Sequence, residues 1–151
     1  MFLGFIVALA VVVFDQLTKF LIYGTAARSI IGNLLWFEST LNTGVAFSMF
    51  EGKSYIFIIT SLIASLAFCW LITSKKHFST KFEKVCFGLI LGGTIGNVID
   101  RFIFAGVRDF ISLKFMNFAI FNIADMAITV GAVLFCIAII FLRDKKEDDR
   151  T

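Results

Sequence analysis

Four stretches of the chain, near Phe2–Tyr23, Tyr55–Ser74, Val85–Ala105 and Phe121–Leu142, are each apolar over about 20 residues, the length an α-helix needs to cross bilayer hydrocarbon. No water is available there for unpaired N–H and C=O groups, so a single apolar stretch can cross only as a helix that bonds its own backbone. That requirement points to an α-helical integral membrane protein with four transmembrane helices. Composition agrees: 59% hydrophobic residues and a mean hydropathy of +0.93 exceed what a soluble core uses, and 151 residues suit one membrane-embedded domain over 1–151.

The loops between these stretches give an orientation. Lys75, Lys76, Lys81 and Lys84 crowd the link between the second and third spans, and Arg143, Lys145, Lys146 and Arg150 follow the fourth. The positive-inside rule places both groups in the cytoplasm, so both termini are expected there and the first and third loops face outward. Against this stand Arg28, Lys53, Arg101, Arg108 and Lys114 on the outward side, spread over two longer segments. The net charge of +3 is dispersed, and no basic face with stacking aromatics can be drawn, so nucleic acid is not an expected partner.

Several chemistries are disfavoured by what the chain lacks. Cys69, Cys86 and Cys136 lie in or beside apolar spans, far apart and without Cys-x-x-Cys spacing, which fits small buried or lipid-facing residues. His77 is the one histidine and sits among lysines, badly placed for a Ser-His-Asp triad and unaccompanied for a His-x-x-x-His zinc helix. Neither metal nor cofactor is expected. Chemistry must come from carboxylates, Lys, Arg, hydroxyls and amides.

Polar residues cluster at one end of the spans. Asp15 and Lys19, four apart on one helix face near the outer end of the first span, can neutralise each other as a structural pair or help shape a site. Ile30-Ile31 and Leu34-Leu35-Trp36-Phe37 flank Gly32-Asn33 and read as a small hairpin on the membrane surface, with Trp36 at headgroup depth. Asn42-Thr43-Gly44-Val45-Ala46 reads as a turn or close-packing strand, or as backbone that an extended peptide can approach while Asn42 binds its amides. The second span has no charge and is scaffold, its Ser61, Ala64, Ser65 and Ala67 fitting helix packing.

In the third span Gly92, Gly93 and Gly96 allow close approach, and Asn97, Asp100 and Arg101 stand at i, i+3 and i+4 on one face. Asp100 is expected to pair with Arg101, leaving further guanidinium donors for peptide carbonyls. After Gly106 the run Val107 to Leu113 is β-like and carries Arg108-Asp109. Asn122 and Asp125 share the first turn of the fourth span, where the helix dipole alone would favour a carboxylate. An ionised carboxyl near the bilayer centre costs about 2.5–3.5 kcal/mol, so a set of such groups at two outward helix ends asks for a use. Two neighbouring Asp cannot both ionise easily, and a pair sharing a proton can activate water and polarise a carbonyl together. Asp109 and Asp125 are the expected pair. Rival readings are a proton-coupled transporter or channel subunit, with Asp15, Asp100 and Asp125 relaying charge, and a non-catalytic scaffold. The polar groups gather outward and leave no stripe through the helix middles, which disfavours both.

Five blocks in order carry a family resemblance: Asp15-Gln16-Leu17-Thr18-Lys19, Asn42-x-Gly44-x-Ala46-Phe47, Gly92-Gly93-x-x-Gly96-Asn97-x-x-Asp100-Arg101, Val107-x-Asp109-Phe110 and Phe121-Asn122-x-Ala124-Asp125. Together the chain resembles bacterial lipoprotein signal peptidase, or signal peptidase II. The resemblance implies a four-helix membrane aspartyl peptidase with a small extracytoplasmic β-cradle in the bacterial cytoplasmic membrane. Its substrate would be a lipid-modified prolipoprotein, cut before the diacylglyceryl cysteine, and the enzyme a monomer in contact with membrane lipid. By motif, Asp109 and Asp125 match the catalytic pair; Asn42, Gly44, Asn97, Arg101 and Asn122 match the peptide site; Asp15, Lys19 and Asp100 match supporting positions. One departure is the lack of any proline before the Phe121-Asn122 block, where the loop Leu113–Ile120 is also short.

Overall fold

A computed structural model of the chain describes residues 2–43, 54–74, 80–116 and 118–142. Four helices, α1 (Phe2–Ile22), α2 (Ser54–Thr73), α3 (Lys81–Phe104) and α4 (Ile123–Leu142), are long and apolar enough to cross a membrane. Three strands, β1 (Arg28–Ile31), β2 (Leu35–Asn42) and β3 (Val107–Leu113), form one antiparallel sheet in the order β1-β2-β3.

Two helix starts differ from the hydropathy reading by two residues or more, each for a local reason. α3 begins at Lys81, ahead of the apolar run, because Thr80 and Glu83 form a reciprocal capping box: the Thr80 hydroxyl accepts from Glu83 N–H and the Glu83 carboxylate accepts from Thr80 N–H. Hydropathy misses that first turn since its residues are charged. α4 begins at Ile123 rather than Phe121, because Phe121 exchanges backbone hydrogen bonds with Ile111 of β3 and Asn122 caps the helix.

α3 is the central helix and packs against each of the other three. Its small residues make the approach close enough for backbone contact: a Cβ on Gly92 would meet the Ala8 carbonyl oxygen of α1 at 2.6 Å, and one on Gly93 would strike the Ala124 carbonyl of α4. Between α1, α2 and α3 lies a core of Ala8, Ile72, Phe87 and Leu91, with the Phe87 ring 4.7 Å from that of Phe135. Outward faces carry exposed Leu9, Phe20, Ile63, Leu66 and Ile140. Such apolar exteriors suit hydrocarbon and not water.

The sheet lies at the end of the bundle where α1 finishes and α4 starts. Ile22, Phe110 and Ile111 form a second buried cluster, against which Leu35, Phe37, Phe121 and Ile123 pack. The hairpin between β1 and β2 turns at Gly32, whose φ of 45° lies in the left-handed region that costs glycine little. α3 ends through Ala105, also left-handed at φ 54°, whose N–H bonds Arg101 O; Gly106 then leads directly into β3. The reversal brings residues 107–109 back beside the last turn of the helix they have just left.

Candidate active site

Asp109 and Asp125 arrive from different elements and are linked through Asn122, whose side chain bonds the Asp109 carboxylate and the Asp125 backbone N–H. Asp125 is three residues into α4, and it forms a second reciprocal cap with Asn122: Asp125 N–H donates to Asn122 Oδ1 at 2.9 Å, and Asn122 N–H donates to Asp125 Oδ2 at 3.2 Å. With its oxygen engaged this way, the Asn122 amide points its nitrogen elsewhere. Nδ2 donates to Asp109 Oδ1 at 2.6 Å and to Asn97 Oδ1 at 3.2 Å. Asn97 Nδ2 in turn donates to Asp125 Oδ1 at 2.8 Å, and Asn42 Nδ2, at the end of β2, reaches Asp109 Oδ2 at 3.1 Å. Asn42 pairs with Val107 and so stands diagonal to Asp109 on one face of the sheet.

These groups, apart from the buried Asn122, line one cavity of about 470 Å³. Asn42, Asn97, Arg101, Asp109 and Asp125 form its polar side, and Phe118, Ile120, Met126 and Val130 its apolar wall. Burial raises the Asp109 carboxyl first, and the Asp125 charge raises it further; hydrogen bonds from Asn42 and Asn122 and the Lys19 charge act against them, leaving its pKa at about 7. A carboxylic acid poised there can hold a proton near neutral pH and release it on demand.

Beneath the cavity lies a closed layer of charge. Asp15, Lys19 and Asp100 are each 0% exposed. Lys19 Nζ sits 2.9 Å from Asp15 Oδ2, 3.4 Å from Asp100 Oδ2 and 3.0 Å from Asn97 Oδ1. Because an ammonium only donates, it holds the Asn97 oxygen toward itself and so turns the Asn97 nitrogen toward Asp125. Asp15 also accepts from Ala124 N–H of α4 at 2.9 Å, capping from α1 a donor that α4 leaves open. Gly96 makes room for this carboxylate, since a Cβ there would lie 2.6 Å from Asp15 Oδ2.

The expected Asp100–Arg101 pair is not what forms. Asp100 is bound by Arg108, through Nη2 at 2.7 Å, Nε at 3.2 Å and the backbone N–H at 2.8 Å, with Lys19 as its second cation. Arg101 instead turns into the cavity, its Nη1 3.5 Å from Asn97 O and its guanidinium 5.6 Å from the Phe57 ring centroid. Consecutive helix side chains leave the axis about 100° apart, and at the edges of that shared face Asp100 turns to Arg108 and Lys19 while Arg101 turns to the cavity. Of the other residues named from the sequence, Asp15, Lys19, Asn42, Asn97 and Asn122 all join this one network. Gly44 lies outside the described residues. Two members had no assigned role: Arg108, and Gln16, which accepts from Arg108 and donates to Asp15, Gly96 O and Asp100. Their signal was present only as polar residues adjoining Asp15 and Asp109.

Comparison with known proteins gives a consistent result. The sequence profile of a family described as signal peptidase (SPase) II matches residues 7–141. A lipoprotein signal peptidase of Shouchella clausii is 38% identical over 154 residues, covering 98% of this chain and 100% of the relative. One from Staphylococcus aureus is 33% identical over 149 residues, covering 95% and 91%. Two solved structures described as a bacterial membrane enzyme, each 33% identical, superpose with TM-scores of 0.80 and 0.81; they cover 95% and 91% of this chain and 90% and 92% of their own.

Proposed function

Because the chain belongs to the signal peptidase II family, we infer that it removes the signal peptide from diacylglyceryl-modified prolipoproteins, cutting before the lipidated cysteine. It is a multi-pass membrane peptidase. Its catalytic type, in our reading, is aspartic, with Asp109 and Asp125 as the pair. The observation that carries this is the Asn122 amide, which reaches the Asp109 carboxylate with its nitrogen and the first turn of Asp125 with its oxygen, beside a cavity that both acids line.

Charge counting supports a pair that shares one proton. Asp15 and Asp100 are balanced within the buried layer by Lys19 and Arg108. Among the described residues, Arg101 is the cation left on the cavity side for Asp109 and Asp125 together. One proton on the pair makes the three groups neutral, which is what a site enclosed by apolar helices favours. Asp109 holds that proton and polarises the scissile carbonyl, while Asp125 takes a proton from the attacking water; the pair then protonates the leaving amine. Arg101, Asn42 and Asn97 bind the peptide backbone, and the apolar wall from Phe118 to Val130 receives the chain beside the cut. The enzyme works as a monomer, in contact with membrane lipid, with this end of the bundle on the outer face of the cytoplasmic membrane and both termini inside. Anchoring the substrate by its acyl chains holds the bond in that plane, so much of the orientation entropy is lost on binding.

The test is cleavage of a diacylglyceryl-modified prolipoprotein by purified Asp109→Asn and Asp125→Asn in detergent. Both variants keep the volume and the donors around them, so they are expected to fold and to leave uncleaved, lipidated precursor, with rates down by about 10³-fold or more. Cleavage within tenfold of wild type by either would remove that residue from the pair.

A further inference from the structure

Arg108 precedes Asp109 in β3 and points to the opposite side of the strand, into the bundle, where it is 7% exposed. Its guanidinium lies 4.4 Å from the Phe104 ring centroid, is bound by both oxygens of Asp100, and donates to Gln16 Oε1 at 2.9 Å. Its backbone N–H also donates to Asp100. One residue thereby ties β3 to the last turn of α3 and, through Gln16, to α1.

This tie falls just past an irregularity in the sheet. Phe37 of β2 faces Ile111 and Thr40 faces Asp109, so β2 carries one more residue than β3 over the interval that ends at Asp109. A bulge of this kind interrupts the ladder locally, and pairing resumes at Thr40–Asp109, Leu41–Arg108 and Asn42–Val107. Beyond the bulge, Phe110 and Ile111 donate to Phe121 O, holding the far side of the strand. On the near side the Arg108 clamp adds to that pairing a tie from β3 to α3 and α1.

We propose that Arg108 is a positioning residue for Asp109: its clamp on Asp100 and Gln16 sets the phase of β3 and so holds the Asp109 carboxyl within reach of Asn122 and of the cavity. The proposal rests on the reading of Asp109 as the acid of the pair. Arg108 does not touch the substrate; it acts through the strand.

The experiment compares wild type, Arg108→Met, Arg108→Lys and Asp109→Asn in detergent, reading kcat and KM on a diacylglyceryl-modified prolipoprotein from pH 5 to 9 and the melting temperature of each. Misplacing a reacting group by about 1 Å costs about 100-fold, so folded R108M is expected to lose about 30- to 100-fold in kcat. Its KM is expected to change by less than about threefold, because peptide binding is left intact. Asp109 is faced by Asp125 from α4, Lys19 from α1 and Arg101 from α3. Moving it away from Asp125 and toward solvent lowers its pKa, so the alkaline limb of kcat shifts to lower pH. A purely structural defect would lower the active fraction equally at all pH and leave the limb in place. R108K keeps the charge but not the planar fork, and is expected to recover part of kcat with a smaller shift of the same sign. Should R108M fail to fold, R108K carries the test alone. Wild-type kcat with an unshifted limb in the folded variants, or a loss uniform across pH, overturns the clamp and leaves the pair standing if D109N is inactive. An active D109N overturns both.

Discussion

Lys19 shows how strongly single residues are committed in this protein. Its ammonium is fully buried, paired with the Asp15 and Asp100 carboxylates and donating to Asn97 Oδ1. Removing one partner from a buried ion network leaves uncompensated charge and costs about 3–5 kcal/mol. Lys19→Met is therefore expected to lower stability by about that much, read as a loss of melting temperature in detergent; an unchanged melting temperature would mean that Asp15 and Asp100 find other compensation. Asp109 shows the opposite arrangement, with one acid pushed up to about 7 by burial and by Asp125. An acid that must be protonated to act loses function as pH rises through its pKa, so the peptidase is expected to decline above pH about 7, with the protonated Asp109 form dominating below. A rate that climbs steadily from pH 7 to 9 would contradict that assignment.

The elements are held by contacts that leave little slack. α1 and α4 lie on α3 with backbone against backbone, made possible by small residues on α3. Gly92→Leu would push its side chain into the Ala8 carbonyl at 2.6 Å and the Val11 Cβ at 2.7 Å, neither of which is the end of a flexible chain. Overpacking of this kind costs about 1–3 kcal/mol, and here it also separates Asp15 and Lys19 on α1 from Asn97 on α3. The variant is expected to unfold at lower temperature and to lose cleavage together; full activity with a lowered melting temperature would uncouple the helix contact from the site. The sheet belongs to the same unit, since β3 is tied to α3 by Arg108 and to the start of α4 by Phe121. The residues before α4, which include no proline, are placed by that backbone bridge between Phe121 and Ile111.

At the scale of the whole molecule, the loop charges bear on which end faces out. Lysines between α2 and α3 favour an inner face for that link, whereas Arg28, Lys53, Arg101, Arg108 and Lys114 stood against it. The four among the described residues have local work: Arg108 is neutralised by Asp100, Lys114 is bound to Glu38, Arg101 lines the cavity and Arg28 lies 5.6 Å from the Phe37 ring centroid. The Lys114 ammonium, hydrogen-bonded to Glu38, holds that carboxyl below its ordinary range. A reading with both termini inside thus has fewer uncompensated charges to explain. Thr25→Cys is expected to react with a membrane-impermeant maleimide in intact cells, and Ser74→Cys only after permeabilisation. The reverse pattern would put the site on the inner face.

Much of this was legible in the chain, because spanning lipid leaves a polypeptide few options. Long apolar runs must be helices, Gly32-Asn33 between strand-forming residues makes a hairpin, and the ordered polar blocks mark the family. Helical spacing also placed Asn97 with Asn122 and Asp125 at one end of the bundle. What tertiary structure alone decided was who pairs with whom. Asp100 takes Arg108, eight residues on, and not its neighbour Arg101, because adjacent helix residues diverge while the reversal at Ala105 and Gly106 folds β3 back onto the helix end. That choice leaves Arg101 facing the cavity, and no periodicity in the sequence could record it, since it depends on the path of a turn and on three elements meeting around one carboxylate.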